Sequence, residues 1–303
     1  MSLLGLIRKN GPSGYGFNTT AEEVTDGMDL SGQAFLITGC GTGLGLETAR
    51  VLSKRGAFII AANRSEARCQ ETLDAIEGEG AIAVCDLSSL TSVEECCRHV
   101  RGMGQKLQGI ICNAGIMAPP KLEMIDGVEA QFYVNHLSHF KLVTSLMDLL
   151  SVTGRVVVLS SMAHRFTVPG GVGFHNLDGS RWYQAWPFYG QSKLAGLLFA
   201  RSLAEKLGPE QKAFALHPGV IMTNLGRYLT GFMKLLWSIS SVLISKDIPR
   251  GAATQVFAAT SPWLNDRNGE YLSDCNLKTS SRHGLNKELA RKLWEWSEAR
   301  VKV

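Results

Sequence analysis

Thr38-Gly39-Cys40-Gly41-Thr42-Gly43-Leu44-Gly45 follows the apolar run Ala34–Thr38 and opens directly into a helix-period segment, Leu44–Arg55, closed by Gly56. Glycine lacks a Cβ, so such a turn reaches positive φ and lets its amides approach a phosphate closely. The amino end of the helix that follows stabilises the negative charge. Glycines alone mark only a tight turn. Their place between a strand and a helix makes this one a pyrophosphate cradle, with Gly39, Thr42, Gly43, Leu44 and Gly45 as the contacts.

Outward from the turn, apolar runs alternate with helix-period segments, the pattern of a parallel sheet covered on both faces. The runs are Ala34–Thr38, Ala57–Ala62, Ala81–Cys85, Gly109–Cys112, Arg155–Ser160 and Ala213–His217, with Glu270–Leu272 as a short seventh. Several are continuous in Val, Ile, Leu, Phe and Ala and do not alternate, as strands buried on both sides do. The fold class expected is α/β, a Rossmann-type doubly wound parallel sheet of about seven strands with helices on both faces. Residues 1–30 precede the rhythm and read as an arm, and residues 31–303 as one domain. A helix near Ser92–Val100 follows Asp86-Leu87-Ser88-Ser89, and Asn286 is placed to cap a last helix through Arg300, with Leu289, Leu293 and Trp296 on one face.

Composition narrows the function. With 31 basic and 27 acidic residues scattered along the chain, there is no dense basic run of the kind that binds a phosphate backbone, so nucleic acid is excluded as a partner. Seven cysteines, at positions 40, 69, 85, 96, 97, 112 and 275, form no CxxC pair and read as buried thiols of a reducing compartment. The apolar part of Met1–Lys9 is too short for a signal-peptide core or a membrane span, which predicts a cytoplasmic chain. A second apolar stretch, Leu229–Ser245, is interrupted by Lys234 and several serines. It reads as a substrate lid, with peripheral membrane contact through Phe232, Leu235, Leu236, Trp237 and Ile239 as the alternative.

The second strand ends Ala61-Ala62-Asn63-Arg64. A dinucleotide with a free ribose 2′-hydroxyl usually meets a carboxylate there, and none is present. Arg64 has a guanidinium fork suited to a 2′-phosphate, with Asn63 and Ser65 as further donors. NADP(H) is therefore expected in preference to NAD(H).

Tyr189-Gly190-Gln191-Ser192-Lys193 places a phenol and an ammonium one helical turn apart. A phenol of pKa ~10 is a poor base near neutrality. An ammonium at ~4 Å in an effective dielectric of ~20 contributes about 4 kcal/mol, enough to bring that value to about 7. The spacing by itself is common by chance.

It is accompanied, in order along the chain, by Asp86-Leu87, Asn113-Ala114-Gly115, Asn135 in Val134-Asn135-His136, Ser160-Ser161 and Pro218-Gly219-Val220-Ile221-Met222-Thr223. On these motifs and the glycine turn, the chain resembles the short-chain dehydrogenase/reductase (SDR) family from about Ser31 to Leu272. The resemblance implies hydride exchange between a nicotinamide and a carbonyl or alcohol carbon, with no metal. Tyr189 would be the acid/base, Lys193 its electrostatic partner and a ribose ligand, Ser161 the hydroxyl that polarises the carbonyl, and Asn135 the holder of a relay water. Asp86 and Leu87 would meet the adenine, Asn113, Ala114 and Gly115 the strand framework beside the cofactor, and Pro218, Gly219 and Thr223 the nicotinamide end. Small-molecule carbonyl or alcohol substrates and a homo-oligomer, dimer or tetramer, are implied with it.

Two departures from the family pattern stand out. Ser161 and Tyr189 are 28 positions apart (189 − 161), so an insertion spanning residues 164–188 must loop out and return, and a second insertion occupies 224–250. The first carries Phe166, Phe174, His175, Trp182, Tyr183, Trp186 and Phe188, rings suited either to an apolar pocket wall or to a small core of their own. Gly41 stands where related chains often carry a polar side chain. The segments Gly11–Gly16, Thr20–Thr25, His164–Thr167 and Gly251–Thr254 are similar to the retinol-dehydrogenase-like branch with its plant Tic32-type members. That branch implies lipophilic aldehydes, ketones or alcohols and, for a plant chain, the chloroplast envelope. A reading from another class is an NADP(H)-sensing regulatory or assembly protein whose helix Arg291–Val303 enters a partner's groove. Docking of that helix onto the protein's own body is the simpler account.

Overall fold

The computed structural model describes residues 8–221 and 245–302. Its central sheet is built from β1 (Ala34–Thr38), β2 (Phe58–Asn63), β3 (Gly80–Val84), β4 (Leu107–Cys112), β5 (Leu150–Leu159), β6 (Lys212–His217), β7 (Tyr271–Ser273) and β8 (Asn276–Leu277). Their order is β8-β7-β6-β5-β4-β1-β2-β3, parallel throughout except for the closing β7–β8 hairpin. The eighth strand adds one to the expected seven. Strand order reverses beside β1, so the glycine turn that follows β1 lies at the topological switch point, where open α/β sheets bind ligands.

Alternation along β1 shows why these strands read as continuous apolar runs. Phe35 and Ile37 enter one core, with Leu52 of α1 (Gly43–Lys54) and Val256 and Phe257 of α6 (Ile248–Thr260). Ala34 and Leu36 enter the other, with residues from α3 (Leu90–Gly102), α4 (Ser138–Leu146) and α5 (Ala185–Ala204). Each face needs a hydrophobic lining, so no polar residue interrupts the pattern. α2 (Glu66–Asp74) covers β2 and β3 and is capped by Ser65, whose hydroxyl accepts from Arg68 N. β5 begins at Leu150, five residues ahead of the expected Arg155. The extension carries the exposed Val152 and Thr153, and its register against β4 slips between Leu107 and Gly109, so no apolar run announces it.

The arm lies across α6 and the β7–β8 hairpin. Thr20 and Glu23 form a reciprocal capping box on the short helix Ala21–Val24, and Asn276 accepts from Ser13 N (3.1 Å) and donates to Tyr15 O (2.9 Å). α7 (Lys287–Val301), capped by Asn286, docks on the body. Trp294 packs on Phe140 (4.9 Å) and Phe199 (6.0 Å), Trp296 on Phe132 (5.6 Å), and Ser297 Oγ meets His136 Nε2 at 2.8 Å. The apolar face proposed for a partner's groove is therefore occupied by the chain itself, which corrects that reading of the helix. Sandwiched between sheet and α7, α5 is buried around nearly its whole circumference.

All seven cysteines are buried and unpaired. Among the described residues no helix is long and apolar enough to cross a membrane. Thr223 and most of the expected insertion at 224–250, including the proposed membrane-contact residues, lie outside the described residues.

Candidate active site

The glycine turn is held by close packing. Gly39 (φ 65°) and Gly43 (φ 60°) sit in the left-handed region, and a Cβ on Gly39 would lie 2.8 Å from Ala114 Cβ. A Cβ on Gly45 would lie 2.4 Å from Gly39 O and 2.5 Å from Asn113 Nδ2, so α1 can approach the turn only with glycine there. Gly41 is different: nothing lies within 3.6 Å of its Cβ position, and its N–H donates to Asn63 Oδ1 at 3.2 Å. The amide thus supplies a brace for the turn. Thr42, at the N-cap of α1, makes no capping bond with its side chain. The first N–H groups of the helix are left for a ligand.

Beside the turn opens a cavity of about 490 Å³ lined by Gly39, Thr42, Asn63, Arg64, Asp86, Leu87, Ala114 and Gly115. Arg64 is exposed and has no carboxylate partner among the described residues, Glu66 included. Arg68 lines the same cavity and was not anticipated. Its signal was its position in the first turn of α2, four residues after Arg64; it is paired with Glu71 at 2.8 Å. Asn63 was expected to donate toward the cofactor. Its amide instead donates to Arg68 O (3.1 Å) and Thr72 Oγ1 (3.2 Å), so the side chain shapes the pocket floor. Asp86 Oδ1 accepts from Ser88 N and Oγ, at 2.9 and 2.7 Å. Asn113 Nδ2 donates to Thr38 O (2.9 Å) and Gly39 O (3.1 Å), tying the ends of β1 and β4 together.

A second cavity, of about 640 Å³, holds Ser161 and Tyr189. Leu44, Met117, Met162, Phe166, Trp186 and Ile221 give it apolar walls, and Pro218 and Gly219 line the same space. The 164–188 segment does both things its rings suggested. Phe166 and Trp186 face the cavity, while Trp182 and Tyr183 close over the fully buried Phe188 at 5.3 and 5.0 Å. His217, at the carboxyl end of β6, lines this cavity too. Burial lowers its pKa to about 4 and keeps it neutral; the strand-end rule alone would have found it.

Ser160 and Ser161 both line this cavity, and Ser160 Oγ donates to Lys193 O at 2.7 Å. Ser161 Oγ accepts from Ala163 N (3.1 Å), and Ser161 lines the same cavity as Tyr189. Lys193 is buried behind Gly115, its Nζ 5.7 Å from the Tyr189 ring centroid and 2.9 Å from Leu159 O, to which it donates. Asn135 lies in a π-helical turn, Tyr133–Leu137, an irregularity that often marks functional sites. Its Nδ2 donates to Ile116 O (2.9 Å) and Ser192 Oγ (3.0 Å), and its Oδ1 accepts from Ile116 N (2.8 Å). Both side-chain donors are thus committed within the fold.

The electrostatics correct one expectation. Burial pushes the Tyr189 phenol up to about 12, with the nearby Ser161 hydroxyl opposing, and lowers Lys193 to about 8, with Cys112 opposing. Burial dominates and no contribution from Lys193 opposes it, so the neighbouring ammonium by itself does not bring the phenol toward neutrality.

A glycine-rich turn at the switch point, with a serine, a tyrosine and a buried lysine at the same sheet edge, fits a nicotinamide-linked oxidoreductase. The pattern of the short chain dehydrogenase family matches residues 33–175. Short-chain dehydrogenase TIC 32 A, chloroplastic, of Brassica napus is 38% identical over 313 residues, covering 98% of each chain. Retinol dehydrogenase 14 of Homo sapiens is 35% identical over 295 residues, covering 90% of this chain and 87% of its own. The chain belongs to the short-chain dehydrogenase family and is similar to its TIC 32 and retinol dehydrogenase members. Among solved structures, an uncharacterized protein from Mycobacterium Paratuberculosis superimposes with a TM-score of 0.74 at 29% identity, covering 92% of this chain and 97% of that one.

Proposed function

We propose that this protein is an NADP(H)-dependent oxidoreductase that interconverts an apolar aldehyde or ketone with its alcohol. The observation that carries the reading is that Ser161 and Tyr189 line one largely apolar cavity beside the glycine turn. The uncapped amino end of α1 and the glycine turn fit a pyrophosphate, and Arg64 and Arg68 fit a ribose 2′-phosphate. When bound, the nicotinamide supplies or accepts a hydride at the substrate carbon.

The rest falls to the chain's own groups. Ser161 donates a hydrogen bond to the substrate oxygen, and Tyr189, neutral well above physiological pH, gives that oxygen its proton in the reducing direction. The Lys193 ammonium stabilises the phenolate left behind. Walls of Met117, Met162, Phe166 and Trp186 select an apolar substrate and exclude water. A turnover screen tests this: NADPH or NADH with a panel of apolar aldehydes and ketones, retinaldehyde included because relatives are retinol dehydrogenases. NADPH-dependent reduction is expected, and a panel without any turnover would sink the reading.

Replacing Arg64 with Ala removes the unpaired guanidinium. A hydrogen bond to a charged group is worth about 1.5–3 kcal/mol, so KM for NADPH should rise by about 10-fold or more while that for NADH barely moves. Arg68→Ala should cost less because Glu71 already engages that side chain. An unchanged cofactor preference in Arg64→Ala would remove the argument for NADP(H).

The pH dependence follows from Lys193. Its ammonium is present below about 8 and lost above it, whereas Tyr189 stays protonated up to about 12. Carbonyl reduction should therefore be level through neutrality and decline as pH rises through about 8. A kcat profile still flat well beyond that point would exclude the ammonium from the rate.

A further inference from the structure

We propose that His164 is the positioning residue for Ser161, a role that rests on the catalytic reading above. His164 is fully buried on the short turn Met162–Arg165 that follows the serine, and it does not line the cavity that holds Ser161 and Tyr189. Any effect it has on chemistry must therefore pass through a neighbour.

The hydrogen bonds identify that neighbour. Ser281 N lies 3.0 Å from His164 Nε2, and His164 Nδ1 lies 2.6 Å from Ser161 O. A main-chain N–H can only donate, so Nε2 must accept. The ring is then neutral with its proton on Nδ1, which donates to the Ser161 carbonyl. The main-chain N–H of His164 donates to the same oxygen at 3.1 Å. Two donors thus hold one carbonyl and confine Ser161 near φ −161°, ψ 159°, which fixes the direction of its Cα–Cβ bond in the cavity it shares with Tyr189.

The far side of the ring is anchored as firmly. Tyr271 of β7 meets it edge to face at 4.8 Å. Ser281 is itself fixed by Gly284 N, which donates to its hydroxyl at 3.2 Å, and Arg165 donates to Thr279 O. A segment remote in sequence, beyond the β7–β8 hairpin, therefore sets the backbone that carries the serine. Beside the imidazole and the adjoining arginine, Ser281 Oγ donates to the His164 main-chain carbonyl at 3.5 Å.

Three variants and a double variant test the role. His164→Ala should lower kcat on the order of 10²-fold, the scale of an ångström-sized misplacement of a reacting group, with KM for the carbonyl and Kd for NADPH nearly unchanged. His164→Asn places an amide N–H where Nδ1 stands and should recover most of that loss. His164→Gln reaches toward Ser281 without serving Ser161 O, and should not. If the alanine variant does not fold, the Asn and Gln variants carry the comparison.

The deciding measurement combines the change with Ser161→Ala. A residue that acts only by aiming the serine has nothing left to aim in its absence, so the double variant should be no slower than Ser161→Ala alone. Additive losses, or equal rates for the Asn and Gln variants, would overturn the positioning role and leave the catalytic reading standing. Absence of carbonyl turnover in the unsubstituted protein would overturn both.

Discussion

Tyr189→Phe is expected to reduce turnover by about 10³-fold, within the 10²–10⁴ range attributable to a positioned general acid, while NADPH binding changes by less than about twofold. The ring itself is structural. It packs edge to face on Trp186 at 6.1 Å, and phenylalanine preserves that contact and the fill of the cavity floor. What disappears is the hydroxyl that is to hand over a proton in the cavity shared with Ser161. Ser161 can still polarise a carbonyl, but its own proton is far less available, so the residual rate should be small and nearly independent of pH. Single-turnover kinetics with NADPH and an apolar aldehyde, paired with titration of NADPH by fluorescence, separate the two effects. Undiminished turnover in this variant would eliminate Tyr189 as the acid, whatever its location.

The second large effect is expected from Gly190→Ala, inside the same helical turn. An exposed glycine within a helix is normally stabilised by about 1 kcal/mol on replacement by alanine. Here the sign should reverse. A Cβ on Gly190 would lie 2.0 Å from Phe166 O and 2.8 Å from Ala163 O, main-chain atoms of the turn that follows Ser161. Neither oxygen can yield unless the turn moves as a whole, and that displaces the serine from the phenol. Overpacking of this kind costs about 1–3 kcal/mol, and a misplacement of about an ångström costs about 10²-fold in rate. Thermal unfolding and kcat, measured together, should both fall. A higher melting temperature with normal turnover would show that the turn relaxes freely and that the close approach has no catalytic consequence.

These two positions, adjacent in sequence, differ in how far they could be read before folding. Tyr189 and Lys193 stand out because their spacing fits one helical face and because the other motifs fall in order around them. Gly190 looks like an ordinary weak helix former; only the carbonyls of a turn from another part of the chain give it a purpose. Arg64 was legible as the residue where a carboxylate was missing. Arg68 was not, since it reaches the same cavity only once α2 has turned back on β2. Asn63 was legible as a polar residue at a strand end, and the fold then turned its amide toward Arg68 O and Thr72.

The sequence by itself determined the βαβ rhythm, the glycine turn and the placing of the motifs at the carboxyl ends of strands or on the adjoining helices. Those features are local: positive φ needs glycine, a strand buried on both faces needs an unbroken apolar run, and a helix start needs its flanking turn. Tertiary structure decided what distance along the chain conceals. It docked the Trp294 and Trp296 face of α7 on the body, tied Ser161 to Ser281 through His164, and made Tyr189 a weaker acid than its lysine neighbour alone would predict. Docking, anchoring and desolvation depend on which surfaces surround a group, and those surfaces come together only when remote segments pack.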